Sequence, residues 1–193
     1  MTTFKIHTAE TAPDHARELV KAVQVKMGLV PNVVGVMAES PSVLKGWLDL
    51  KADVESGLLS PLEREIVQMT VSYLNDCGYC VAAHTTIAQG AKMPADIIEA
   101  LRTDKPLKDA KLEQLRQFTK AVMKRFGRPD AADIDAFRLA GYKDAHVLEV
   151  VSGLALATIT NYINHIAQTP VDKAFEANRI EARKTDMRRS DAA

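Results

Sequence analysis

Two cysteines are all this 193-residue chain possesses, and both fall in the stretch DCGYCVAAH, as Cys77 and Cys80, with His84 four residues further on. Only a thiolate is a good nucleophile, and a free thiol with a pKa of about 8.5 is a few per cent ionised near neutrality. Lowering that pKa to about 6.5 takes roughly 2.7 kcal/mol of preferential thiolate stabilisation. A helix N-terminus supplies typically about 0.3–1 kcal/mol, and about 2 in a favourable partly buried geometry. A closer partner is therefore required. If the segment from Cys77 onward is helical, Cys80 and His84 stand at i and i+4 on one face, where the imidazole can take the thiol proton and then hold the thiolate.

A histidine in that role needs an orienting acceptor. Glu65 is the candidate, because it shares the inward face expected of the preceding helix with Met69 and Ser72. Glu63 is the weaker one, being accounted for by a helix cap. Cys77 is positioned to attack a sulfenic acid on Cys80 and close a disulfide, a cycle that an external dithiol would reset. The helix dipole alone favours Cys77 as the more acidic thiol, whereas proximity to His84 favours Cys80, and the closer charge decides for Cys80.

The elements that must hold these groups read as helices separated by short stops. SPSVLKGWLDL offers Ser40 as N-cap and Pro41 as first helical residue. SPLEREIVQMTVSYL repeats the device with Ser60, Pro61 and a capping-box Glu63. Gly90 is expected to stop the cysteine helix, and MPADIIEALR to begin the next. KDAKLEQLRQFTKAVMKRFG places Leu112, Leu115, Phe118, Val122 and Phe126 on one stripe, ended by Gly127. PDAADIDAFRLAG and DAHVLEVVSGLALATITNYINHIAQ complete the count, with Asp144 as the expected cap of the last. VPNVVGVM is ambiguous between strand and helical turn, and no alternating strand pattern occurs elsewhere. The fold class is all-α: one domain, with an N-terminal helical segment over 1–56, a CxxC core over 57–104, C-terminal helices over 105–175 and a polar tail over 176–193. Thioredoxin, the familiar home of CxxC, needs strand–helix–strand context and fails on it.

Lys+Arg at 25 balance Asp+Glu at 25, which gives no argument for nucleic acid or an anionic membrane. The most apolar run, Val150 to Ile163, falls short of the roughly 20 residues of a membrane helix and reads as a buried helix. No stretch of signal-peptide character opens the sequence, so a cytoplasmic protein is expected, where a CxxC pair is redox-active or metal-binding rather than a structural disulfide. Metal binding is the lesser reading: Cys77, Cys80 and His84 make three ligands, and a fourth would have to come from His165 or His146. His7 and His15 are expected at the surface, His165 as a hydrogen-bonded core residue beside Asn161 and Asn164, and Trp47 in the core or at a subunit interface.

The composite EREIVQMTVSYLNDCGYCVAAH, with its glutamate twelve positions before the first cysteine, closely resembles the core motif of the AhpD-like alkylhydroperoxidases within the wider carboxymuconolactone decarboxylase family. GLVPNVVGVMAESPSVLKGW and GYKDAHVLEVVSGLALATITNYINHIAQTPVD are similar to flanking segments of the peroxidase-related branch. The resemblance implies an all-helical homo-oligomer (dimer, trimer or hexamer) that reduces hydroperoxides. It assigns Cys80 as the peroxide-reacting thiol, Cys77 as its resolving partner, and Glu65 with His84 as the proton relay. No bound cofactor is implied; electrons would come from a lipoyl-bearing or thioredoxin-like protein. The best-known member has a second histidine between its cysteines where this chain has Tyr79, so weaker or differently tuned activity is expected. The decarboxylases lack the cysteine pair, which argues against lactone chemistry. A non-peroxidase disulfide reductase or a redox or metal-binding module on the same fold is the alternative.

Overall fold

The computed structural model describes residues 4–180; the part of the expected polar tail from 181 onward lies outside the described residues. Nine α-helices follow one another within the described chain: α1 (Asp14–Met27), α2 (Asn32–Met37), α3 (Pro41–Ser56), α4 (Pro61–Leu74), α5 (Gly78–Gly90), α6 (Ala95–Arg102), α7 (Ala110–Lys124), α8 (Ala131–Leu139) and α9 (Asp144–Ala167). A 3-10 turn, Glu176–Asn178, comes after them. The ambiguous VPNVVGVM is helical from Asn32 onward, with its residues from Val33 to Met37 all buried.

The chemistry of the ends is partly as the sequence foretells. Ser60 Oγ accepts the N–H of Glu63 at 3.3 Å while Glu63 Oε2 accepts the N–H of Ser60 at 2.9 Å, so the capping box of α4 is complete. Ser40 does precede α3, but its hydroxyl makes no cap and pairs with Ser42 Oγ at 3.2 Å instead. Gly90 is the last residue of α5 rather than its stop; the chain turns at Lys92, whose φ is 55°. Lys143, not Asp144, precedes α9, and its N–H is taken by His146 Nδ1 at 2.9 Å.

Two apolar clusters flank α4 and α9. One joins α1, α2 and Leu44 of α3 to Cys77, Tyr79, Cys80 and Phe175. The other joins α4 to α6, α7 and α8, and contains the stack Phe118–Phe137–Tyr142, with ring centroids 4.3 and 4.4 Å apart. Phe126 breaks the expected stripe of α7: it sits beyond the helix end at φ 53°, exposed, because the chain is already leaving through Gly127 at φ 80°. α4 and α9 pack closely at Gly153, where a Cβ would lie 2.9 Å from Val67 Cγ1, and Gln68 Nε2 donates to the Gly153 carbonyl at 2.9 Å.

α9 extends 24 residues, ten more than the apolar run within it, and is long and apolar enough to span a membrane by length and composition. One side of it packs into the core, with a third of its residues buried. Gly153, Asn161 and Asn164 face inward, while Leu148, Val151, Tyr162 and Ile166 form an exposed stripe on the other side. His165, one residue past Asn164, is turned about 100° away and is exposed, contrary to the core position expected for it. His7 departs in the other direction. It is buried, with Nδ1 2.8 Å from the Thr11 carbonyl oxygen and Nε2 2.6 Å from Glu39 Oε2, because the N-terminal segment lies against Gly35 of α2.

Candidate active site

The site is built where α4 hands over to α5. Asn75 ends α4, Asp76 takes a left-handed φ of 55°, and the Cys77 N–H is held by the Ser72 carbonyl at 2.9 Å. That tight corner makes Cys77 the N-cap of α5: its Sγ accepts the backbone N–H of Cys80 at 3.3 Å. Cys80 thus lies in the first turn of the helix and His84 one turn later on the same face. The two cysteines are not joined to each other and both are buried, Cys77 1% and Cys80 3% exposed.

Glu65 comes to the histidine across the helix pair, its Oε2 2.8 Å from His84 Nδ1. Glu63, two residues earlier and so about 200° round the helix, faces the other core. Its carboxylate is engaged by Ser60, by the Tyr142 hydroxyl at 2.9 Å and by Lys111 at 3.5 Å. The structure therefore brings together Glu65, Cys77, Cys80 and His84 and leaves Glu63 to the scaffold.

The two thiols are electrostatically unlike. Burial works against ionising Cys80, but a hydrogen bond from the Cys77 thiol, the charge of His84 and the amides of Asn164 and Asn161 outweigh it, and the pKa is lowered to about 7. Cys77 is pushed well above the ordinary thiol range, first because its proton is held by the Cys80 sulfur and then by burial. Burial would lower the His84 pKa, yet the Glu65 carboxylate prevails and raises it.

Asn164 is the member that sequence reasoning missed. From the last turn of α9 its Nδ2 reaches Cys80 Sγ at 3.2 Å and Cys77 Sγ at 3.9 Å. Asn161, one turn earlier, ties α9 to the α4 corner by donating to Ser72 Oγ at 3.2 Å and accepting from Asn75 Nδ2 at 2.8 Å. An asparagine in an apolar run carries no spacing signal; only its polarity among Leu156, Ala157 and Ile163 could have marked it.

Tyr79, between the cysteines, is committed elsewhere. Its hydroxyl donates to Asp172 Oδ2 at 2.5 Å and accepts the Val33 N–H at 3.3 Å, while Asp172 also accepts the Asn32 N–H at 3.0 Å. Burial raises the pKa of the Asp172 carboxyl, with Tyr79 and the Asn32 N–H acting against it. Tyr79 thus pins α2 and the segment after α9 to the start of α5, and Phe175 packs edge-on against its ring at 6.1 Å.

Cys80, His84, Glu65 and Asn164 line one cavity of about 420 Å³, walled mainly by apolar groups, among them Val34, Trp47, Leu156 and Phe175. Trp47 is thereby placed on the wall of the same cavity as Cys80. Among the described residues no three His, Cys, Asp or Glu side chains are grouped to hold a metal ion; His146 lies against Tyr142 at the start of α9, far along the helix from Asn164.

Residues 41–121 match the family model for the carboxymuconolactone decarboxylase family, a span that includes Glu65, Cys77, Cys80 and His84. Among solved structures, the fold is similar to that of an uncharacterized peroxidase-related protein with an alkylhydroperoxidase AhpD core from Ralstonia eutropha JMP134: 22% identity, TM-score 0.80, covering 90% of this chain and 94% of that one. A peroxidase-related protein from Silicibacter sp. TM1040 is 23% identical, with TM-score 0.78 over 90% of this chain and 93% of its own. The debrominase Bmp8 in complex with 2,3,4-tribromopyrrole shares the fold at 15% identity and TM-score 0.78, over 92% of this chain and 95% of that one. No curated protein matches the sequence.

Proposed function

We propose that the chain is an AhpD-like protein of the carboxymuconolactone decarboxylase family, on the family match over residues 41–121 and the likeness of fold, and that it reduces organic hydroperoxides through a dithiol–disulfide cycle at Cys80 and Cys77. The observation that carries this reading is the unequal thiol pair: Cys80 held near a pKa of about 7 on the wall of an apolar cavity, beside a histidine whose other side is fixed by Glu65.

Glu65 occupies His84 Nδ1, which leaves Nε2 for the proton chemistry. The Cys80 thiolate attacks the terminal oxygen of ROOH, the O–O bond breaks, and the departing alkoxide takes a proton from His84. Cys80 becomes a sulfenic acid. The charge on Cys80 that kept Cys77 protonated has then gone, and Cys77 attacks the Cys80 sulfur. Its thiol proton leaves with the hydroxyl as water, so two thiols have supplied the two electrons.

Burial of both sulfurs bears on the partner. With Cys77 and Cys80 only 1% and 3% exposed, a slender dithiol such as a dihydrolipoyl arm suits the apolar cavity of about 420 Å³ better than the broad surface of a folded thioredoxin-like protein does. The reductant of this reading is therefore lipoyl-type. The exposed stripe Leu148, Val151, Tyr162 and Ile166 supports self-association through α9; light scattering coupled to gel filtration tests it.

The reading is tested by adding cumene hydroperoxide to reduced protein and counting thiols. Wild type should lose both together, and Cys77→Ala should stop at a sulfenic acid trapped by dimedone. Thiols that titrate near the free value and ignore peroxide would remove the peroxidase reading and leave a structural or metal-binding pair, which stoichiometric zinc would identify.

A further inference from the structure

One buried acceptor, on a residue that lines the cavity, has no partner. Asn164 is 5% exposed, its Nδ2 is directed at the Cys80 sulfur at 3.2 Å, and its Oδ1 is buried without a hydrogen bond. An amide oxygen left so is costly to a fold. The neighbouring Asn161 shows the alternative, since its amide is satisfied on both sides by Asn75 and Ser72. Because Nδ2 and Oδ1 belong to one planar amide, fixing the first on the sulfur holds the second within an amide's width of it.

A hydroperoxide brings one hydrogen-bond donor, the O–H on the oxygen that the thiolate attacks. In an apolar cavity that donor needs an acceptor close to the nucleophile. The carboxylates on the wall have partners, Glu65 in His84 through Oε2 and Glu55 in Lys26 and Lys51. Trp47 Nε1, also unpartnered, is itself a donor and cannot serve.

We propose that Asn164 is a catalytic residue of this site: its N–H holds the Cys80 sulfur, and its Oδ1 accepts the O–H of the hydroperoxide under attack. The inference rests on the peroxidase reading above. As the S–O bond forms and the O–O bond breaks, the hydroxyl becomes that of the Cys80 sulfenic acid without its proton moving, so Oδ1 keeps the same hydrogen bond. His84 protonates the alkoxide on the far side. When Cys77 closes the disulfide, the hydroxyl departs as water and Oδ1 is free again. The Asn164 hydrogen bond is also among the influences that lower the Cys80 pKa.

The test separates the two atoms of the amide. Asn164→Leu removes donor and acceptor; Asn164→Asp keeps an acceptor oxygen in either protonation state. Rates with iodoacetamide and with cumene hydroperoxide are measured against pH and divided by the thiolate fraction. In Asn164→Leu the reactive pKa should rise by about one unit, and the peroxide rate per thiolate should fall roughly tenfold or more. Its alkylation rate per thiolate should stay within about twofold of wild type, since iodoacetamide presents no such hydroxyl. Asn164→Asp should recover most of the peroxide rate per thiolate. Unchanged pKa and peroxide rate in Asn164→Leu, or equal loss in both variants, overturns the proposal. Should Asn164→Leu not fold, loss of peroxide rate per thiolate in folded Asn164→Asp overturns it, and retention supports it. A wild type that alkylates with a low pKa yet ignores peroxide defeats the peroxidase reading and the acceptor role with it; the donor role then stands or falls on the alkylation pKa of Asn164→Leu.

Discussion

Cys77 Sγ accepts the backbone N–H of Cys80 at 3.3 Å, so one thiol of the pair caps the helix turn that carries the other. Removing the first sulfur therefore has a structural effect apart from its chemistry. Cys77→Ser retains a cap, whereas Cys77→Ala forfeits it at a cost of about 1 kcal/mol. Urea unfolding of the two variants under reducing conditions should show that difference, with Cys77→Ser the more stable.

The lowered pKa of Cys80 ties stability to pH. A thiol at about 7 in the fold and about 8.5 in the unfolded chain contributes stability that is complete above about 8.5 and fades as pH falls through 7. The stability difference between wild type and Cys80→Ser should shrink by on the order of 2 kcal/mol between about pH 8.5 and pH 6. His84, whose pKa is raised by Glu65, acts with the opposite sign: its contribution is complete below about 6.5 and is lost as pH rises through its folded value. Following both profiles in His84→Gln separates the two, because only the Cys80 contribution should then remain, shifted to higher pH.

Tyr79→Phe should be a stability variant more than a reactivity variant. It leaves the Val33 N–H without its acceptor and Asp172 without its closest donor, a loss of about 1–3 kcal/mol. The iodoacetamide pKa of Cys80 should move by less than about half a unit, since none of the main influences on that thiol comes from Tyr79. A large shift would return Tyr79 to the chemistry.

Arg116, 2% exposed, is surrounded by acids: Nη1 lies 2.5 Å from Asp104 Oδ1 and Nε 2.9 Å from Glu113 Oε2. Arg116→Met leaves Asp104, half-buried, with Lys120, and Glu113, half-buried, with the Leu107 N–H and Gln117, and should cost about 1–3 kcal/mol in chemical denaturation. Adding Glu113→Gln should recover part of that loss, which distinguishes uncompensated charge from lost packing.

What was legible in the sequence is what is local. Ser60, Pro61 and Glu63 announce the start of α4 within four residues, and Cys77, Cys80 and His84 share one helix, so spacing alone aligns them. Glu65 was legible because the helix before the motif has a readable phase. Asn164 was not, being 84 residues from Cys80 in sequence and alike in type to Asn161. How closely each of two amides one turn apart approaches a sulfur depends on how α9 docks at Gly153, and that is a property of packing. The same dependence misplaced the histidines: His165 turns outward one residue after Asn164, and His7 is drawn inward by a contact with α2 that no local pattern encodes.

The clamp on Tyr79 also has a temporal side. The group that grips its hydroxyl, Asp172, lies 93 residues further along, and the amide that steadies Cys80 lies 84 residues further. During synthesis on the ribosome the cysteines emerge long before either. Until α9 has been made and has docked, Cys77 and Cys80 belong to a nascent chain with two ordinary thiols, close together and without their surroundings. The order of translation thus delays thiol acidity until the fold that shelters it exists, and it leaves an interval in which premature oxidation would have to be prevented by the cell rather than by the protein.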